Sequence, residues 1–376
     1  MAELTLGAGR LAGSICAPPS KSMAHRGLIL SMLSGGTVSP VCESRDIAAT
    51  RRCMETLLNK EKDFYCDESG STLRFMIPLT LALNGGGCFH RADGLKARPI
   101  GIYEELLSDA VFSKGEPLSI SGQLKSGVYT LSGAVSSQFI TGLLLALPLL
   151  EGNSEIHVTE PFESMPYVAL TLQAMAAFGV TVHKPDACTF LLSGGQVYKP
   201  CDFHIEGDYS QAAVFLCARA LGQDITVTNL NPDSLQADRV ILDIIRNRPH
   251  VVDAAQCPDI IPLAAMVLCL TEGHFTIENA GRLRLKECDR LNATASLLKA
   301  LGADIALEGD NINITGVKGF EGGVKLDCLN DHRMAMMLSI AALYCEKPIT
   351  LMGTECVNKS WPTYFDTYFQ LGGKAL

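Results

Sequence analysis

Six stretches of this 376-residue chain share one pattern of polar and apolar positions. In each, a short polar and often charged cluster precedes an apolar run of helical length that ends in Gly or Pro. They are SKSMAHRGLILSMLSGG from Ser20, SGSTLRFMIPLTLALNGG from Ser69, SSQFITGLLLALPLLEG from Ser136, DYSQAAVFLCARALG from Asp208, CPDIIPLAAMVLCLTEG from Cys257 and NDHRMAMMLSIAALYCEKP from Asn330. Ser, Asp or Asn ahead of an apolar run signals a helix start, and a trailing Gly signals its end. The runs are apolar nearly all round, so the predicted helices are buried ones. Amphipathic stretches lie between them: DIAATRRCMETLL from Asp46, PYVALTLQAMAAFGV from Pro166, CDRLNATASLLKALGA from Cys288 and PTYFDTYFQLGG from Pro362. The segments SEIHVT, QDITVTNL, GHFTIENA, NINITGV and KPITLMG read as strands, and this alternation of strand and helix predicts α/β layers.

The spacing of the helix starts predicts an internal repeat. Ser22 and Ser210 are 188 residues apart, Ser71 and Asp259 also 188, and Ser137 and Asp331 194. Two similar halves with three repeats each follow from that spacing.

Composition narrows the function. With 47% hydrophobic and 19% charged residues, disorder is excluded as the main state. A net charge of −9 argues against nonspecific nucleic-acid binding, so any anion must be held in a local basic pocket. A single tryptophan, Trp361, and 6% aromatics leave no platform for stacking bases. The fourteen cysteines form no CxxC pair and match no zinc spacing, so they are expected to be reduced thiols and no metal is expected. The longest apolar run, at residues 142–150, is too short for a bilayer, and MAELTLGAGR lacks an export core. A cytoplasmic protein without membrane partners is the expectation.

A helix start presents free N–H groups and partial positive charge to an anion. Here the starts also carry Lys21, Ser22, Arg26, Ser71, Arg74, Ser136, Ser137, Gln138 and Arg333. If the buried helices of each half run parallel, these groups share one face. Further cations sit in turn-like contexts: Lys96 and Arg98 in DGLKARP, Arg282, Arg284, Lys286 and Arg290 in GRLRLKECDR, and Lys359 in NKSWP. Read alone, each is a solvated surface charge, Asp259 a plain helix cap, and Glu287 a surface ion-pair member. His332, beside Asn330 and Asp331, reads equally as a base or as a hydrogen-bonded structural histidine.

Six motifs in order resemble those of the enolpyruvyl transferase family, and within it the 5-enolpyruvylshikimate-3-phosphate synthases. They are SKSMAHR from Ser20, ESGSTLR at residues 68–74, DGLKARP at residues 93–99, SSQF from Ser136, KECDR at residues 286–290 and NDHRMAM from Asn330. The resemblance runs from PPSKSMAHR to NKSWPTYF, essentially the whole chain. It implies two similar α/β domains, each of three repeated units with buried parallel helices inside and sheets outside, an inverse α/β barrel. It also implies a chain that crosses twice, so that 1–17 plus 208–376 form one domain and 18–207 the other. The implied active site lies in the cleft between the domains, which closes to exclude water.

The implied reaction transfers the enolpyruvyl group of phosphoenolpyruvate to the 5-hydroxyl of shikimate 3-phosphate and releases phosphate, without metal or cofactor. By resemblance, Lys21, Gly70, Arg98, Gln138, Arg290, Arg333 and Lys359 hold phosphoenolpyruvate. Lys21, Ser22, Arg26, Ser136, Ser137, Gln138, Ser164, Tyr167, Asp259, Arg282 and Lys286 hold shikimate 3-phosphate. Lys21, Asp259 and Glu287 are the implied catalytic groups, Asp259 as base for the hydroxyl and Glu287 as acid/base at the methylene carbon. The partners are then small anionic substrates, and the protein a monomer.

Two alternatives are kept: the sister transferase acting on a UDP-amino sugar, and an inactive ligand-binding paralogue. DGLKARP lacks the Cys or Asp that the sister enzymes carry before their Arg-Pro, and the charged residues whose loss would mark an inactive paralogue are present. The chain departs from the family in length. The intervals from Arg26 to Glu68 and from Ser210 to Asp259 are compressed, so a strand or hairpin of one repeat per half is expected to be trimmed.

Overall fold

Each of the six apolar runs is a helix. The computed structural model of the chain describes residues 2–376. The runs form Lys21–Ser34, Gly70–Leu83, Ser137–Ala146, Tyr209–Ala220, Ile261–Cys269 and His332–Ala341. All nine residues of Ile261–Cys269 and all ten of His332–Ala341 are buried. The N-cap signals act as expected at Ser69, Ser136, Asp208 and Asp331, whose side chains accept from Thr72, Gln138, Gln211 and Arg333 N–H groups. Capping satisfies donors that a buried helix start would otherwise leave orphaned.

Contacts divide the chain into two compact units, Met1–Ser20 with Glu206–Leu376, and Lys21–Ile205. Each has its own apolar core. Within Lys21–Ile205 the starts of the second and third inner helices meet, Gln138 Nε2 donating to Ser71 Oγ at 2.8 Å. In the other unit the third start reaches the first, Arg333 Nη1 donating to the Ser210 carbonyl at 2.5 Å. The inner helices of a unit thus bring their starts to one end.

The sheets repeat too. Asp63–Asp67 pairs parallel with Gly86–Arg91, which pairs antiparallel with Leu118–Ser121, and that with Val111–Ser113. In the other unit Val251–Asp253, His274–Glu278, Asn311–Thr315 and Asp304–Glu308 follow the same order and directions. Val128–Ser132, Ser154–Thr159 and Thr189–Leu192 match Lys325–Asp327, Ile349–Met352 and Glu3–Leu6. The N-terminal strand therefore completes the sheet of the last repeat.

The compression falls on the first repeat of each unit. Its sheet has two strands, Asp202–His204 with Thr37–Ser39 and Asp224–Thr228 with Ala12–Cys16. In the second repeat of each unit a hairpin extends the sheet, but here residues 59–62 lead from the Arg45–Leu58 helix straight to Asp63. Residues 248–250 lead likewise from Ile241–Asn247 to Val251.

Pro78 lies inside the Gly70–Leu83 helix. Having no N–H, it leaves the Arg74 carbonyl without its helical donor. Tyr103 Oη stands 2.8 Å from that carbonyl and 3.0 Å from that of Phe139, and serves as the replacement donor. Gly142 makes room for it, since a Cβ there would lie 2.2 Å from Tyr103 Oη. A proline, a tyrosine and a glycine far apart in sequence thus form one packing unit beneath Arg74. None of the fourteen cysteines is in a disulfide. Among the described residues no helix is long and apolar enough to cross a membrane.

Candidate active site

In the Lys21–Ile205 unit, Lys21 opens the first inner helix and its Nζ lies 3.0 Å from Asp46 Oδ2. Arg26, one turn further along, is 3% exposed. Its Nε donates to Thr171 Oγ1 at 2.8 Å, Nη1 to the Ser22 carbonyl at 2.6 Å, and Nη2 to the Tyr167 carbonyl at 2.9 Å and Thr141 Oγ1 at 3.3 Å. Burial pulls its pKa down to about 10, so it remains charged at neutral pH. Arg26 thus ties the turns of Ser22 and Tyr167 together from below. Ser164 precedes the Met165–Ala177 helix in the left-handed region (φ 57) and is buried.

The second and third helix starts are locked through Gln138. Arg74 Nη1 donates to its Oε1 at 2.6 Å, and Arg74 Nη2 to the Pro99 carbonyl at 3.0 Å. Ser136 caps the Gln138 N–H, and Ser137 is buried beside it. Gly70 faces the Arg98 guanidinium: a Cβ there would lie 2.6 Å from Arg98 Nη1 and 3.4 Å from Arg74 Nη1. Only a residue without a side chain lets the guanidinium rest against the helix start.

In the other unit the chemistry centres on Arg290, 1% exposed at the start of the Arg290–Ala300 helix. Its Nε donates to Asp331 Oδ2 at 2.7 Å and its Nη2 to Asp331 Oδ1 at 3.2 Å. Nη1 donates to Asp259 Oδ1 at 2.7 Å, and Nη2 also to Glu287 Oε2 at 2.6 Å. Lys286 Nζ lies 3.0 Å from the same Asp259 oxygen. Asp259 is not the helix cap: that helix begins at Ile261, with Pro262 in its first turn. Its carboxylate turns to the two cations instead. Burial opposes its ionisation, but Lys286, Arg290 and Arg333 hold its pKa well below the usual range. Burial also lowers the pKa of Lys286 against the pull of Asp259, while Asp331, Glu287 and Asp259 outweigh burial at Arg290 and keep it charged.

The cluster continues to Arg333, whose backbone N–H donates to Asp331 Oδ1 at 2.9 Å and whose Nη2 donates to Ser210 Oγ. Leu329 and Asn330 are both left-handed (φ 55 and 51), a strained turn that aims the Asn330 carbonyl at Lys359 Nζ, 2.6 Å away. Arg282 lies in the Gly281–Leu285 turn, half-buried, and adds its positive charge to the field at Lys286. His332 is buried with Nδ1 3.9 Å from Asp331 Oδ1.

Four groups went unread as site residues in the sequence: Asp46, Arg74, Asp331 and Asp238. Arg74 and Asp331 stand inside the motifs ESGSTLR and NDHRMAM, Arg74 as a helix-start cation and Asp331 as a repeat marker, but neither motif assigns them a substrate or catalytic role. Asp46 and Asp238 carry no local signal, because their partners are distant in sequence. Asp238 is buried in the Ala237–Val240 turn, and burial together with the Asp259 charge pushes its pKa up to about 7, against the pull of Arg333 and Ser210. An acid whose folded pKa exceeds its ordinary 3.8 holds a proton that the unfolded chain gives up. Its contribution to stability therefore falls as pH rises through that interval. We expect Asp238→Asn to remove this part of the slope, raising stability at pH 8 relative to pH 5 by on the order of 1–3 kcal/mol against the parent. Urea unfolding at the two pH values checks it.

Comparison with known proteins gives the family and the fold. The family model for EPSP synthase (3-phosphoshikimate 1-carboxyvinyltransferase) matches residues 44–368. The 3-phosphoshikimate 1-carboxyvinyltransferase of Clostridium botulinum (strain Alaska E43 / Type E3) is 40% identical, over 97% of this chain and 96% of its own. That of Clostridioides difficile (strain 630) is 40% identical over 100% and 98%, in an alignment of 429 positions against the 376 residues here. The chain is thus shorter than this relative, and gaps inside the alignment account for most of the difference. A solved EPSP synthase from Acinetobacter baumannii superposes with a TM-score of 0.81 over 100% of both chains at 23% identity, a likeness of fold.

Proposed function

The chain belongs to the EPSP synthase family, and we propose that it transfers the enolpyruvyl group of phosphoenolpyruvate to the 5-hydroxyl of shikimate 3-phosphate with release of phosphate. This is a 3-phosphoshikimate 1-carboxyvinyltransferase, an enzyme of aromatic amino-acid and chorismate biosynthesis, acting in the cytoplasm as a monomer. The observation that carries the site reading is the connected cluster Lys286–Asp259–Arg290–Asp331–Arg333–Ser210 at the inner-helix starts of one unit.

In the proposed mechanism, Arg98, Gln138, Arg290, Arg333, Lys359 and the backbone at Gly70 bind phosphoenolpyruvate. Its carboxylate and phosphate suit the planar donor forks of arginine. Ser22, Arg26, Ser136, Ser137, Gln138, Ser164, Tyr167, Arg282 and Lys286 bind or position shikimate 3-phosphate, and Lys21 touches both substrates. Asp259 takes the proton of the attacking 5-hydroxyl as its oxygen bonds to C2 of phosphoenolpyruvate. Glu287, or Lys21, delivers a proton to the methylene carbon. Loss of that proton and departure of phosphate restore the double bond, so the reaction needs no redox partner.

Mixing the purified protein with phosphoenolpyruvate and shikimate 3-phosphate and following released phosphate tests the reading. Release dependent on both substrates is expected. Release only with a UDP-amino sugar as acceptor, or binding of both substrates without release, would overturn it.

A further inference from the structure

A guanidinium has five N–H donors, and Arg290 gives four of them to the protein's own carboxylates. The side-on edge, Nε with Nη2, is taken by Asp331, which is 0% exposed and also caps the His332–Ala341 helix. The end of the fork, Nη1 with Nη2, is taken by Asp259 and Glu287, whose side chains are 26% and 21% exposed. A substrate carboxylate binding two-pronged to Arg290 must use the end, because the buried edge is held by a group with a second structural task. Around this end stand three carboxylates against Arg290 and Lys286. Arg333 and Arg282 add positive charge to this field, so the obstacle to a further anion is occupancy: both prongs of the end are taken, and a substrate carboxylate grips them only if a protein carboxylate gives way.

We propose that phosphoenolpyruvate binds by carboxylate exchange on Arg290: its carboxylate displaces Glu287 from Nη2, and the displaced Glu287 takes up a proton from solution. Asp331 stays as the positioning residue that fixes the guanidinium. Asp259 keeps Lys286 as its cation when its share of Nη1 is lost. Glu287 gives up a charged partner beside an incoming negative charge, and both changes favour its neutral form. The exchange would deliver Glu287 protonated at the moment when an acid is required. The inference rests on the reading of Arg290 as the phosphoenolpyruvate carboxylate site. The titratable and charged groups that act on Glu287 or on its partners include Lys286, Arg290, Arg282, Arg333, Asp259, Asp331 and Cys288, with Asp238 under the charge of Asp259.

Calorimetric titration of the whole protein with phosphoenolpyruvate alone, so that no turnover occurs, tests the proposal at pH 7 in two buffers of different ionisation enthalpy. The heats are expected to differ by an uptake approaching about one proton per ligand bound. Glu287→Gln should bind phosphoenolpyruvate with no buffer dependence, while Asp238→Asn should retain the uptake. Equal heats in both buffers for the parent, or uptake that survives Glu287→Gln, would overturn the exchange. Failure of the parent to bind phosphoenolpyruvate at all would instead remove the site reading, and the exchange with it.

Discussion

Arg290→Met is expected to cost about 3–5 kcal/mol of folding stability, the largest effect of any single substitution in the site. The reason is the company Arg290 keeps. Asp331 is fully buried, and Asp259 and Glu287 are largely so. Removing the cation leaves carboxylates that were desolvated for its sake, and an apolar side chain of similar volume replaces none of the charge. The sign with pH follows. In the parent, Asp259 is held below its ordinary pKa, so its contribution is present above about pH 4 and lost only as pH falls through the depressed value. In the variant the carboxylates that have lost the guanidinium have raised pKa values, so the penalty is greatest at high pH and is relieved as pH falls. Urea midpoints at pH 5 and pH 8 should therefore lie further from the parent at pH 8. Arg290→Lys separates charge from geometry. It restores part of the stability but not the fork that grips Asp331 and the substrate, so turnover should remain lost. Equal stability of Arg290→Met and the parent at pH 8 would refute this account.

The helical frame was legible because it is written locally. Polar caps at Ser69, Ser136, Asp208 and Asp331 and unbroken apolar runs behind them need no distant partner to be read. The trimmed sheets were legible as compressed intervals, since a hairpin cannot fit into residues 59–62 or 248–250. The cations of the site were legible through their motifs. Their counter-charges were not, because pairing is a property of the fold. Lys21 meets Asp46 25 positions away, Lys286 meets Asp259 at 27, and Arg290 meets Asp331 at 41. Asp259 shows the limit well. As a residue near a helix start it reads as a cap, yet the helix begins later and the carboxylate serves two cations from a neighbouring segment.

Asp259→Asn should lower kcat about 10²–10⁴-fold while changing the KM for phosphoenolpyruvate far less. Asparagine keeps an oxygen for Lys286 and Arg290 to donate to, so the frame survives and the base does not. The arrangement contains an apparent conflict that sharpens the test. A carboxylate held far below its ordinary pKa by Lys286, Arg290 and Arg333 is a weak base. In the proposed mechanism Arg290 and Arg333 turn toward the substrate anions on binding, and Asp259, left with Lys286 and with less water, becomes more basic. The acid limb that belongs to Asp259 should thus lie higher in the profile of kcat, which reports the substrate complex, than in that of kcat/KM, which reports the free protein. Asp259→Asn should abolish the limb in kcat. If kcat falls less than tenfold, or if KM rises in proportion to the loss in kcat/KM, Asp259 is a binding residue and the base must be sought elsewhere.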